Sequence, residues 1–150
     1  MNQEQTPFHN LVIVREFNAP RTLVYQAWTD REHASNWFSP KCNKFELLEF
    51  DSQVGGKYHT RYTFEDSEVF EETGQILVLN EPSLIIMSQL WFDTINPFAP
   101  TQIVVHLDEI APNRTRMTFH QARFESAENA SGHRDGWNES FDNLEVHLSN

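Results

Sequence analysis

The chain has 150 residues, 39% hydrophobic and 13% aromatic, with twelve Phe and four Trp; a globule of that length buries roughly 70% of its unfolded surface, which leaves room for one core built on large rings and not for two. Twenty-two acidic against 11 basic residues give a formal charge of −11, a surface that repels phosphate backbones and anionic headgroups, so neither nucleic acid nor a membrane is an expected partner. The single Cys42 cannot close an internal disulfide, the first ten residues (MNQEQTPFHN) have neither a basic start nor an apolar run, and no stretch approaches the ~20 apolar residues of a membrane span, so a cytoplasmic location is expected.

No repeat, low-complexity tract or linker divides the sequence, and residues 8–149 read as one unit. Leu11 to Phe17 is rich in β-branched residues and predicts a strand, closed by Asn18-Ala19-Pro20. Pro20 suits a first helical position, and Leu23, Val24, Ala27 and Trp28 then share one stripe of a short helix. Thr29-Asp30-Arg31-Glu32 matches a Thr-x-x-Glu capping box and predicts a second short helix ending near Trp37, with Pro40 forcing the exit. Six strand-like runs follow, at 43–51, 57–65, 68–79, 83–92, 102–110 and 114–122, joined by short turns that make antiparallel neighbours in a meander. Two prolines in Asp93 to Pro100 bar regular pairing and put Phe98 on an exposed loop. From Ser126 to Leu148 the period becomes helical, with Trp137, Phe141, Leu144 and Leu148 on one stripe. Gly132 and Gly136 lie on one face of this helix, so they signal either space or close approach beside the sheet, or a frayed start with regular helix only from Gly136.

A strand, two small helices, six antiparallel strands and a long C-terminal helix is an element order that resembles the α+β helix-grip fold of START lipid-binding domains and the birch-pollen allergen. The chain also carries Phe17-Asn18-Ala19-Pro20, Val24-Tyr25-Gln26-Ala27-Trp28-Thr29-Asp30, Trp37, Val54-Gly55-Gly56, Gly74, Glu81-Pro82 and Gly136-Trp137 in that order. With these segments it is similar to the activator of heat-shock protein 90 ATPase homologue family, within the START and polyketide cyclase-like superfamily. Many relatives have Val-Trp where this chain has Val24-Tyr25. The resemblance implies a curved sheet of about seven strands around the last helix, with a cavity between them. It supplies no catalytic residues, and the ATPase-stimulating activity in the family name belongs to longer proteins with a further domain, so stimulation by this chain alone is not expected.

Tyr58, Thr60 and Tyr62 alternate with Lys57, His59 and Arg61, which predicts that the first set faces inward. With Phe70, Met117, Phe119, Trp137 and Phe141 they are the expected cavity wall, apolar but carrying phenolic hydroxyls. Of the adjacent Glu71 and Glu72, alternation with Phe70, Gly74 and Ile76 makes Glu72 the inward one, and a solvated or ion-paired carboxylate at a cavity mouth is expected there. His106 and His120 are expected to face outward, where they could meet, while His9, His33, His133 and His147 lack a ligand partner at helical spacing. Neither arrangement is a complete metal site, so no metal or other cofactor is expected. No Gly-x-Ser-x-Gly elbow or phosphate loop is present, and Cys42 reads as an incidental thiol.

The leading expectation is a domain that binds a small hydrophobic molecule. An alternative is a polyketide cyclase or dehydratase-like enzyme in which Glu72, Tyr58 or Tyr62 moves protons, and another is a protein-interaction or chaperone-regulator domain. A homodimer is compatible with the sequence, which identifies no protein partner.

Overall fold

A computed structural model describes residues 9–42, 44–65, 68–93 and 100–149. Its elements, in chain order, are β1 (His9–Phe17), α1 (Arg21–Thr29), α2 (Arg31–Trp37), β2 (Lys44–Phe50), β3 (Lys57–Thr63), β4 (Val69–Asn80), β5 (Leu84–Asp93), β6 (Thr101–Ala111), β7 (Arg114–Phe124) and α3 (Ala127–Leu148). The seven strands form one antiparallel sheet in the order β1-β7-β6-β5-β4-β3-β2. Strands β2 to β7 are the expected meander, and β1 returns to pair with β7. This is the α+β helix-grip arrangement. Of the predicted loop from Asp93 to Pro100, Asp93 is the last residue of β5, while residues 94–99, with Phe98, lie outside the described residues, as do 66–67 of the turn expected at 65–67. Among the described residues no helix is long and apolar enough to cross a membrane.

Alternation decides which face of each strand is core. Leu11, Ile13 and Phe17 of β1, Tyr58, Thr60 and Tyr62 of β3, Ile85 and Met87 of β5, Ile103, Val105 and Leu107 of β6, and Met117 and Phe119 of β7 are all buried. Val24, Ala27 and Trp28 of α1 and Ala34 and Trp37 of α2 close over this face, while Phe141, Leu144 and Leu148 bury the stripe of α3. Rings dominate the contact. Trp28 meets Trp37 edge-on at 4.7 Å, and Phe119 lies 5.3 Å from Phe141; such pairs contribute about 0.5–1.5 kcal/mol each beyond their buried area.

Two helix starts differ by one residue from expectation. Asp30, not Thr29, caps α2: its Oδ1 accepts from the amides of Glu32 at 2.9 Å and His33 at 3.4 Å, while the Thr29 hydroxyl donates back to the Tyr25 carbonyl. Asp30 wins because its extended backbone aims the carboxylate at those amides. Pro20 likewise precedes the helix. Its ψ of 150° is extended, and its carbonyl accepts from Leu23 and Val24. The frayed start of α3 is not observed either, since Ser126 accepts from the Asn129 amide and regular helix runs from Ala127 through both glycines.

Gly74 is required by close approach. A Cβ there would lie 2.0 Å from the Ser88 carbonyl oxygen and 2.4 Å from the Tyr58 ring. Without it, Tyr58 lies across β4 and donates its hydroxyl to Ser88 O at 2.7 Å. Gly132, by contrast, has open space around its missing side chain. Gly74→Ala is therefore expected to cost about 3 kcal/mol, from forced overpacking, whereas Gly132→Ala should gain up to about 1 kcal/mol from helix propensity. Urea denaturation of both variants against the parent chain checks the opposite signs.

Candidate functional site: a cavity floored by a buried carboxyl

Helix α3 packs against β1, β7, α1 and α2, which leaves β3 and β4 across a gap from its first half. Three hydrogen bonds tie the helix to the segment that leaves α2: Ser140 Oγ donates to Phe38 O, Asn143 to Ser39 O, and the Lys41 amide to Glu139. Between these supports lies a cavity of about 410 Å³, within the range of small-molecule sites. Its walls are Phe38, Pro40, Tyr62, Phe64, Phe70, Trp137 and Ser140, and Gly132 and Gly136 contribute space where side chains would stand. Lys41, Glu128 and Asp135 are exposed at its mouth, with Glu139, Asn129 and His133 beside them.

Glu72 lies at the floor, only 6% exposed. Contrary to expectation it is shielded from solvent and has no ion-pair partner among the described residues, because the concave sheet face supplies hydrogen-bond partners instead. Thr60, directly opposite on β3, donates to Oε1 at 3.4 Å, Gln89 of β5 donates to Oε2, and Tyr62 also hydrogen-bonds the carboxyl. Beyond Gln89 the bonds continue. Gln121 of β7 donates its amide nitrogen to Gln89 Oε1 and, at 2.7 Å, to the hydroxyl of Thr101 on β6, which donates in turn to the Gln89 carbonyl. Trp137 of α3 closes the string, its indole N–H donating to Gln121 Oε1 at 2.8 Å. Direct and diagonal neighbours on one face thus link five strands to the helix.

Burial pushes the Glu72 carboxyl up to about 7, against the pull of its donors Thr60, Tyr62 and Gln89. Near neutral pH it can therefore both give and take a proton. Burial raises the Tyr62 hydroxyl well above its ordinary range, with the Glu72 charge adding to the effect. His133 is lowered by burial and donates from Nδ1 to the Asn129 carbonyl, which leaves a neutral ring at the mouth.

Of the expected wall, Tyr62, Phe70, Glu72 and Trp137 border the cavity. Tyr58 does not, because its hydroxyl is spent on Ser88 O and its ring on Gly74. Met117, Phe119 and Phe141 are completely buried in the core beneath α3, where Phe119 and Phe141 stack around Trp137 instead of facing open space. Sequence reasoning missed Gln89, Thr101 and Gln121. The signal was present, since each continues a core-facing alternation: Ile85-Met87-Gln89, Thr101-Ile103-Val105 and Met117-Phe119-Gln121. On the outer face Glu71 pairs with His59 at 2.5 Å and with Arg61. His106 and His120 are diagonal neighbours on that face of β6 and β7. His33 and His147, which lack a ligand partner at helical spacing, meet each other across α2 and α3 at 2.8 Å. Cys42 sits between the Ser39 hydroxyl and the Lys44 carbonyl. Among the described residues no three His, Cys, Asp or Glu side chains converge as metal ligands.

The chain is similar to several solved structures over nearly its whole length. A protein of Chromobacterium violaceum is 21% identical, with 94% of this chain and 97% of that one covered and a TM-score of 0.84. The AHSA1 protein of Silicibacter pomeroyi is 16% identical, with 94% and 98% covered and a TM-score of 0.81. A protein of Arthrobacter aurescens is 26% identical, with 93% and 86% covered and a TM-score of 0.80. No curated protein matches. The family described as Activator of Hsp90 ATPase homolog 1-like protein matches residues 18–149, which take in β2 to β7 and all three helices but not β1, and the chain belongs to that family.

Proposed function

We propose that this domain binds a small, mainly apolar molecule in the cavity between α3 and β3–β4, with the polar end of that molecule at Glu72 and Tyr62. The observation that carries this reading is the placement of one buried carboxyl at the floor of a 410 Å³ space otherwise walled largely by rings. Such sites draw affinity from the apolar wall and orientation from a few convergent polar groups. Gly132 and Gly136 support it, because helix propensity alone would favour Ala at both positions. A neutral fluorescent probe, Nile red, is expected to bind with blue-shifted emission, and Gly136→Leu, which places a side chain in the cavity, should weaken that binding at least tenfold without lowering stability by more than about 1 kcal/mol. Undiminished probe binding in a folded Gly136→Leu protein would place the probe elsewhere and refute the reading.

A second reading, acid–base catalysis on the bound molecule, is favoured by one feature: Glu72 titrates near the pH at which a proton donor and acceptor are both populated. Its titration has a thermodynamic signature. The folded value, about 7, lies above the ordinary 4.5, so the stability Glu72 contributes is complete below about pH 4.5 and lost as pH rises through about 7, a total of about 3 kcal/mol. Glu72→Gln imitates the protonated form and removes this term. The variant should match the parent chain near pH 4.5 and exceed it by about 3 kcal/mol at pH 8, as read from denaturation curves at a series of pH values. A difference that does not vary with pH would mean that Glu72 does not titrate in this range.

A further inference from the structure

We infer that Trp137, Gln121 and Gln89 are positioning residues that hold Glu72 Oε2 as an acceptor, confine the carboxyl proton to Oε1, and so fit the cavity to an apolar molecule bearing a carbonyl group. The inference rests on the binding reading above and specifies the ligand class.

The direction of the string follows from its ends. An indole N–H can only donate, so Gln121 must turn its oxygen toward Trp137 and its nitrogen toward Thr101 and Gln89. Gln89 must then offer oxygen to Gln121 and nitrogen to Glu72 Oε2. Flipping either amide sets donor against donor, or acceptor against acceptor, at a joint sealed from water, and the Thr101 hydroxyl hydrogen is already engaged by the Gln89 carbonyl. Accepting the Gln89 N–H favours the unprotonated, carbonyl-like state of Oε2, because the O–H oxygen of a carboxylic acid is the poorer acceptor. The proton is left to Oε1, whose neighbour Thr60 is long at 3.4 Å. Protonated Glu72 is then the donor at the floor, beside a Tyr62 hydroxyl already hydrogen-bonded to the carboxyl, and a carbonyl oxygen accepts from that donor and brings no hydrogen that needs a partner.

Burial of Glu72, set against its hydrogen-bond donors, fixes the pH window. Tyr62 and Tyr58 face the carboxyl from β3, both raised by burial and by Glu72 itself, and they stay neutral throughout. From α3 the mouth brings Glu128, Asp135, Glu139 and the lowered His133, and the segment after α2 brings Lys41. Among the described residues, β5, β6 and β7 add the uncharged Gln89, Thr101 and Gln121.

The test pairs two probes of one shape, 2-acetylnaphthalene and 1-(2-naphthyl)ethanol, titrated by calorimetry, with ¹³C NMR of the Glu72 carboxyl in protein labelled at glutamate Cδ and assigned with Glu72→Gln. Ketone affinity should fall about tenfold or more from about pH 5.5 to about pH 8.5, while the alcohol, which can donate to a carboxylate, should change by less than about threefold. In Trp137→Phe a ring remains but the fixed donor is gone. Both amides can then flip, so the carboxyl titration and the ketone profile should move up together by about one pH unit. Trp137 gives its one N–H to Gln121 and not to Glu72, so a merely structural role would leave both midpoints in place, and unmoved midpoints overturn the positioning role. Ketone affinity that is flat with pH overturns the ligand class while leaving the binding reading intact. Failure of both probes to bind at any pH overturns that reading together with the ligand class, and the NMR titration still decides the positioning role.

Discussion

Because the Trp137 indole can donate and never accept, a polarity is imposed on the whole buried string that ends at Glu72. Each amide between them has two orientations in isolation and one in the chain. The consequence reaches across the sheet, since Gln121, Thr101, Gln89, Glu72 and Thr60 sit on five neighbouring strands and every joint lies on the concave face. A polar row through an apolar core is tolerated only when each member is satisfied. Here the helix supplies the first donor and the carboxyl the last acceptor, so the row is satisfied only when α3 is docked.

The docking of α3 also explains why there is a cavity. Its stripe of Phe141, Leu144 and Leu148 is buried against the β1 and β7 side of the sheet and against α1 and α2. The first half of the same helix faces β3 and β4 with two glycines, and no large side chain from that turn fills the gap. Trp137 stands at the boundary between these halves. Its ring stacks on Phe141, meets Phe119 at a tilt, and borders the open space. The hydrogen bonds from Ser140 and Asn143 to the exit of α2 hold the far wall in place.

Membership of the family establishes the architecture and leaves the chemistry to the site, because folds of this kind carry unrelated functions. What distinguishes this site is the combination of aromatic walls, an acidic mouth and one carboxyl poised between its two protonation states. Under the proposed binding function, Glu128, Asp135 and Glu139 against the single Lys41 would favour a neutral molecule over an anionic one.

Much of this was legible in the chain itself. Period-two alternation identified the inward faces of β3 and β4, including Glu72 over Glu71, and period-three-to-four spacing identified the buried stripe of α3. Short turns specified an antiparallel meander, and the ordered family segments specified how helix and sheet combine. These features depend on local geometry, which recurs wherever the same pattern of residues is written. The state of Glu72 was not legible, because burial and hydrogen bonding depend on Gln89, 17 residues away, and on where α3 comes to rest. Nor could spacing reveal that Tyr58 is drawn off to Ser88, that Phe119 and Phe141 are core and not wall, or that His33 meets His147 across 114 residues. Local periodicity sets which way a side chain points. Only the packed sheet and helix decide what it meets there, because desolvation and hydrogen-bond satisfaction are properties of neighbours that the chain brings together from a distance.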